Sequence, residues 1–165
     1  MKKTAVIMGS DSDLPVVAEA IKVLRELGMP FEAHVLSAHR TPERAASFAR
    51  EARAMGFGAI IAAAGKAAHL AGALAAHTTL PVIGIPIGAP GLGGLDSLLS
   101  TAQMPPGVPV AAMAVDGARN AALFAAQILA VNDAALAGAL SAMREKMENS
   151  VIKKDEKLQT EVAEI

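Results

Sequence analysis

A chain of 165 residues with 15 basic and 16 acidic side chains carries a net charge of −1, so no overall field draws it to nucleic acid or to a lipid surface. It has no cysteine, tryptophan or tyrosine, which excludes disulfides and thiol ligands and leaves no aromatic platform of the kind single-strand binding commonly uses. The length suits one domain, while a hydrophobic share of 53%, roughly 61% once the 14 glycines are counted, exceeds the usual value of about 45–50%.

In chain order, Thr4 to Met8 is an almost continuous apolar run ended by Gly9, the pattern of a strand buried on both faces. After the turn Gly9-Ser10-Asp11-Ser12-Asp13, Val16, Val17, Ala20, Ile21 and Leu24 recur at helical spacing until Gly28, with Ser12 or Asp13 placed to cap and Pro15 acceptable in a first turn. Phe31 to Leu36 reads as a second strand, Thr41 to Met55 as a helix and Ala59 to Ala64 as a third strand. Ala67 to His77 then reads as a helix, Pro81 to Ile85 as a fourth strand, Leu92 to Thr101 as a short helix and Pro109 to Val115 as a fifth strand. This alternation predicts an α/β fold: a three-layer, flavodoxin-like sandwich around a five-stranded parallel sheet, with extra C-terminal helices. Those helices are Asn120 to Val131 and Asp133 to about Ile152, expected to pack outward as an alanine-rich subunit contact. Lys153 to Ile165 reads as a frayed helix or a loose tail.

The excess apolar content needs an outlet, and a membrane is a poor one. The charge-free stretch from Thr78 to Leu95 is broken by Pro81, Pro86 and Pro90, short of the about 18 uninterrupted apolar residues of a span. Association into a homo-oligomer is the better outlet. Lys2 and Lys3 precede an apolar run, Ala5 to Met8, shorter than the about 7–15 residues of a secretory signal, so a cytoplasmic location is expected.

Ligands of a parallel sheet bind outside the carboxyl ends of its strands, and three polar turns lie there. Ser10 and Ser12 offer hydroxyls beside a helix start, as a phosphate cradle or as an ordinary cap; Asp13 suits a sugar hydroxyl better than an anion. In Ser37-Ala38-His39-Arg40-Thr41-Pro42, Arg40 can fork onto a phosphate or pair with Glu43. Histidine is the side chain that exchanges a proton near neutrality, and His39 can do so or simply cap and pack. His69, in Gly65-Lys66-Ala67-Ala68-His69, can approach the same pocket or be structural; His34 and His77 read as structural. No His, Asp or Glu spacing fits a metal site, no Walker loop is present, and the glycines at 88, 91, 93 and 94 do not form a dinucleotide fingerprint. A phosphorylated receiver would need an aspartate where Ala64-Gly65 stands.

Taken together, Met8 to Asp13, Ser37 to Pro42, Ala67-Ala68-His69-Leu70, Gly94 to Ser100, Gln103-Met104-Pro105 and Asn120 to Leu123 closely resemble the motifs of the N5-carboxyaminoimidazole ribonucleotide mutase family of de novo purine biosynthesis. The likeness covers about residues 4–131, the expected core of a single mutase domain over 1–165. It implies a phosphoribosyl-imidazole substrate, a carbon dioxide intermediate, a homo-octamer of 422 symmetry, and no metal or organic cofactor. It also implies roles: Ser10 and Arg40 on phosphate, Asp13 on ribose, Ser12 and Ser37 nearby, Ala67 and His69 lining the substrate pocket, and His39 as the catalytic acid and base. Relatives that carboxylate aminoimidazole ribonucleotide with free carbon dioxide typically have lysine after the histidine and G-R-S-N in the third turn; Arg40 and Gly65-Lys66-Ala67-Ala68 favour the mutase class. A binding paralogue without catalysis is the other alternative. Lys66 replaces a usual glycine, Ala71 a usual proline and Gly93 a common asparagine.

Overall fold

The computed structural model describes residues 1–165. Five strands, β1 (Lys3–Met8), β2 (Phe31–Val35), β3 (Phe57–Gly65), β4 (Val82–Ile87) and β5 (Ala111–Ala112), form one parallel sheet in the order β2-β1-β3-β4-β5. Six helices accompany them: α1 (Leu14–Glu26), α2 (Pro42–Glu51), α3 (Leu70–Ala75), α4 (Leu95–Ala102), α5 (Ala118–Ala130) and α6 (Ala134–Ala163). This is the expected flavodoxin-like order, and its switch point lies between β1 and β3.

Side chains alternate across a strand, and that parity divides the core. Val6, Met8, Ala59, Ile61, Ala63, Ile83, Ile85 and Ile87 face α1, α5 and the start of α6. Ala5, Ile7, Ile60, Ala62 and Val82 face α2 and α3. Because both faces are covered, the inner strands read as unbroken apolar runs rather than alternating ones. Gly84 leaves room for α4, since a Cβ there would lie 2.3 Å from Thr101 Cγ2.

Four expectations need correction. The fifth strand shrinks to two residues paired with Ile83 and Gly84: Pro109 just before it and Pro86, further along β4 on its far side, lack N–H donors, and the chain leaves the ladder at Asp116, whose φ is +56°. α3 starts at Leu70 rather than Ala67, because Lys66 at φ +55° and the short bonds Ala68 N to Lys66 O and His69 N to Ala67 O, both 2.8 Å, hold a turn there. α5 does not face outward: Ala118, Ala121, Ala122, Ala125 and Ala126 are fully buried with the α1 residues Val17, Ala20 and Leu24. Finally, α6 is continuous through residue 163, although from Arg144 onward every residue is exposed. Lys, Glu, Gln, Leu and Ala all favour helix, and Lys157 pairs with Glu161 one turn on at 3.4 Å. No helix is long and apolar enough to cross a membrane.

Candidate active site

The turns after β1, β2 and β3 and the loop after β4 converge on a cleft of about 580 Å³ at the carboxyl edge of the sheet. It contains every residue singled out above: Ser10, Ser12, Asp13, Ser37, His39, Arg40, Ala67 and His69.

The β1 turn is held by its own side chains. Ser10 caps a single 3-10 turn over residues 11–13, its Oγ accepting from Ser12 N at 3.3 Å, while Asp13 Oδ2 accepts from Ser10 N at 3.2 Å. This reciprocal capping box directs the Asp13 carboxylate back to Ser10 and the cleft instead of capping α1. Burial pushes the Asp13 carboxyl above its ordinary value, and the Ser10 amide and the Arg40 charge only partly offset that.

In the β2 turn, Thr41 Oγ1 donates to Ser37 O at 3.1 Å and accepts from Ser37 N at 3.0 Å, closing the loop that carries His39 and Arg40. Pro42 then opens α2 with its φ already helical. The Arg40 guanidinium donates to Gly9 O at 2.9 Å and to Ser37 Oγ at 3.4 Å, not to Glu43. It thereby ties the β2 turn to the β1 turn and stays fixed in the cleft wall.

His39 and His69 meet across the switch point, with Nε2 of His39 2.9 Å from Nδ1 of His69 and the rings edge to face at 5.0 Å. One N–H lies between the two rings, and the tautomer decides which ring donates it. His69 is therefore in the cleft, whereas His34 lies on β2 beside Glu32 and Phe48, and His77 is exposed past the end of α3.

Lys66 also lines the cleft in the left-handed conformation noted above, which costs a non-glycine residue about 1–2 kcal/mol. The glycine usual in the mutases would hold that backbone without strain. At Gly93 the φ of +59° suits glycine and asparagine alike, so that departure leaves the loop's geometry intact.

Sequence reasoning did not single out Thr41 or Asp116 as site-shaping residues. Asp116 Oδ1 accepts from Gly88 N at 2.8 Å and holds the loop after β4 against the cleft; a Cβ on Gly88 would lie 2.8 Å from Asp116 Oδ2. The available signal was the Asp116-Gly117 pair, a turn dipeptide after a strand. No three His, Asp or Glu side chains gather as a metal centre. Chemically, the cleft offers one fixed cation, hydroxyls and amides for an oxyanion, a carboxylate that lacks a full ion-pair partner, and two imidazoles that can pass a proton.

The AIR carboxylase family model matches residues 3–150. The N5-carboxyaminoimidazole ribonucleotide mutase of Pyrococcus abyssi is 55% identical over 147 residues, 89% of this chain and 84% of that protein. The phosphoribosylaminoimidazole carboxylase of Saccharomyces cerevisiae is 48% identical over 155 residues, 94% of this chain and 27% of the longer protein. Among solved structures, the crystal structure of Treponema denticola PurE matches with a TM-score of 0.87 at 27% identity, covering 94% of this chain and 98% of that one. A family match that runs from β1 into α6, with relatives about half identical over nearly the same span, means that the chain belongs to the AIR carboxylase family.

Proposed function

We propose that this chain is a single-domain enzyme that converts N5-carboxyaminoimidazole ribonucleotide to 4-carboxy-5-aminoimidazole ribonucleotide, the mutase step of de novo purine biosynthesis for which its near relatives are named. The observation that carries this assignment is the meeting of Arg40, Asp13 and the His39–His69 pair in one cleft at the switch point. Arg40, Ser10, Ser12 and Ser37 take the phosphate. Asp13 takes the ribose hydroxyls, which supply the donors its carboxylate lacks. Ala67 and His69 border the imidazole.

His39 carries the proton. Protonation of the carbamate nitrogen breaks its bond to the carboxyl carbon, leaving the electron pair on nitrogen and releasing carbon dioxide inside the cleft. Ring electrons at C4 then attack the carbon dioxide, and His39, now a base, removes the C4 proton and restores aromaticity. The proton given first is matched by the one taken second, so the reaction is an isomerisation with no net proton change. Small apolar walls at Ala64, Ala67 and Ala89 suit retention of carbon dioxide between the two halves. Acid–base catalysis of this kind is worth about 10²–10⁴ in rate, so His39→Asn loses about that much turnover while keeping ligand affinity. Unchanged turnover would remove His39 from the mechanism.

The alternative is carboxylation of aminoimidazole ribonucleotide with free carbon dioxide; the yeast relative, of which the match covers 27%, is named a carboxylase. A paired assay of the purified protein separates the two. Fast product from N5-carboxyaminoimidazole ribonucleotide alone establishes the mutase. Product only from aminoimidazole ribonucleotide with bicarbonate makes the chain a carboxylase, and silence with both, in folded protein, leaves a binding paralogue.

The enzyme is a cytoplasmic homo-octamer. Support for self-association comes from Leu92, Leu95 and Leu99, exposed at 66%, 52% and 48% on and before α4, and from Asp96 Oδ1 beside them, buried with no hydrogen-bond partner in the chain. A second copy would cover the leucines and can supply the missing donor. Sedimentation velocity tests the assembly: a species of eight copies is expected, a smaller stable oligomer would refute the octamer, and a monomer at micromolar concentration would refute self-association altogether.

A further inference from the structure

Lys66 has no task in the mechanism above, yet it stands in the cleft wall in a backbone conformation that lysine disfavours. No carboxylate neutralises it: the ion pairs of the chain use Lys3, Lys22, His34, Arg119 and Lys157. The amides of Lys66 and Ala67 likewise make no hydrogen bond within the chain. Arg40, by contrast, is anchored to Gly9 O and Ser37 Oγ. The cleft thus holds two cations of different kinds, a fixed planar fork and a free ammonium on a flexible stem.

Their separation is set by the sheet. Arg40 follows β2 and Lys66 follows β3, with β1 and its Asp13 turn between them; at about 4.8 Å per strand, two strand steps span about 10 Å. A ligand with an anion at each end and hydroxyls in the middle matches that sequence of groups: cation, carboxylate, cation.

We propose that Lys66 forms a second anion subsite that holds the carboxylate of the carboxylated imidazole ribonucleotide and discriminates it from the uncarboxylated one. This rests on the function proposed above. An ammonium–carboxylate bond is present before and after transfer but absent while the carboxyl carbon is neutral carbon dioxide. It therefore contributes to binding and specificity rather than to turnover.

The test is calorimetric binding of two probes, 4-carboxy-5-aminoimidazole ribonucleotide and aminoimidazole ribonucleotide, to the parent protein, Lys66→Met and Lys66→Arg. Lys66→Asn serves as a second uncharged variant whose backbone tolerates positive φ. The uncharged variants should bind the carboxylated probe about tenfold more weakly and the uncarboxylated probe within about twofold of the parent, with Lys66→Arg recovering part of the loss. Equal changes for both probes, or none, would overturn the subsite and leave the proposed function standing. A parent protein that binds neither probe would overturn both, and Arg40→Ala, which should weaken both probes alike, marks the phosphate contribution separately.

Discussion

At the amino end of the sheet, Glu32 on β2 meets Lys3 on β1 at 2.6 Å, and Lys3 also lies 4.6 Å over the Phe57 ring on β3. The hydrogen bond from Lys3 holds the Glu32 carboxyl below its ordinary value. At the carboxyl end, burial pushes the Asp13 carboxyl the other way, Lys66 has no partner, and Lys66 and Asp116 both sit at positive φ. One sheet thus pairs its charges where it has only to hold together and leaves them unpaired, on a strained backbone, where a ligand is to complete them.

The two ends share the buried strip between them, and breaking it should harm both most. Ile61, fully buried in mid-β3, should cost about 2–5 kcal/mol when replaced by alanine, read as a lower denaturation midpoint. A loss below about 1 kcal/mol would mean that the strip does not couple the ends. Next in size is Lys66→Gly. Relief of left-handed strain, about 1–2 kcal/mol, less the backbone entropy of glycine, about 0.5–1 kcal/mol, should leave this variant about 0.5–1 kcal/mol more stable than the parent in urea titration.

Smaller effects sharpen the contrast in sign. Because the folded Asp13 carboxyl binds its proton more readily than in the unfolded chain, the native state holds the extra proton in the window just above 3.8. Lowering the pH into that window therefore adds stability through Asp13, and ionisation at neutral pH takes it away. Asp13→Asn should be at least as stable as the parent at pH 7, lack that gain on acidification, and bind ribonucleotide about tenfold more weakly; a clear loss of stability at pH 7 would contradict it. Glu32 has the opposite sign: its contribution is present above 4.5 and fades as the pH falls through the lowered folded value. Glu32→Gln should lower the melting temperature slightly at pH 7, with the difference vanishing in acid or in about 1 M salt. A difference that survives both conditions would mean that the Lys3 pair is not its source.

What the residues alone disclosed was mostly what local chemistry dictates. The apolar runs of β1 and β3, the glycine that ends β1 and the prolines that open helices fixed the element order, and the three turns were recognisable because polar residues are conspicuous after such runs. Long-range pairing was less visible. Nothing local tells that Arg40 reaches Gly9 O instead of Glu43, that Asp116 bonds Gly88 across 28 positions, or that the alanines of α5 turn inward onto α1. Lysine is no turn signal, so the positive φ at Lys66 showed only as a departure from the family's glycine. The length of β5 depended on a proline in another strand.

The 30 residues of α6 extend about 45 Å, from Leu136, which is 1% exposed, to Val162, at 55%. One continuous helix therefore spans the whole range of protection from amide hydrogen exchange, slow where Leu136 and Leu140 join the core and fast beyond Arg144, where only the helix's own bonds resist opening. Met147, Val151, Leu158 and Val162 continue an apolar stripe along that outer part, so the exchange rate at Val151 registers directly whether another copy of the chain lies against it.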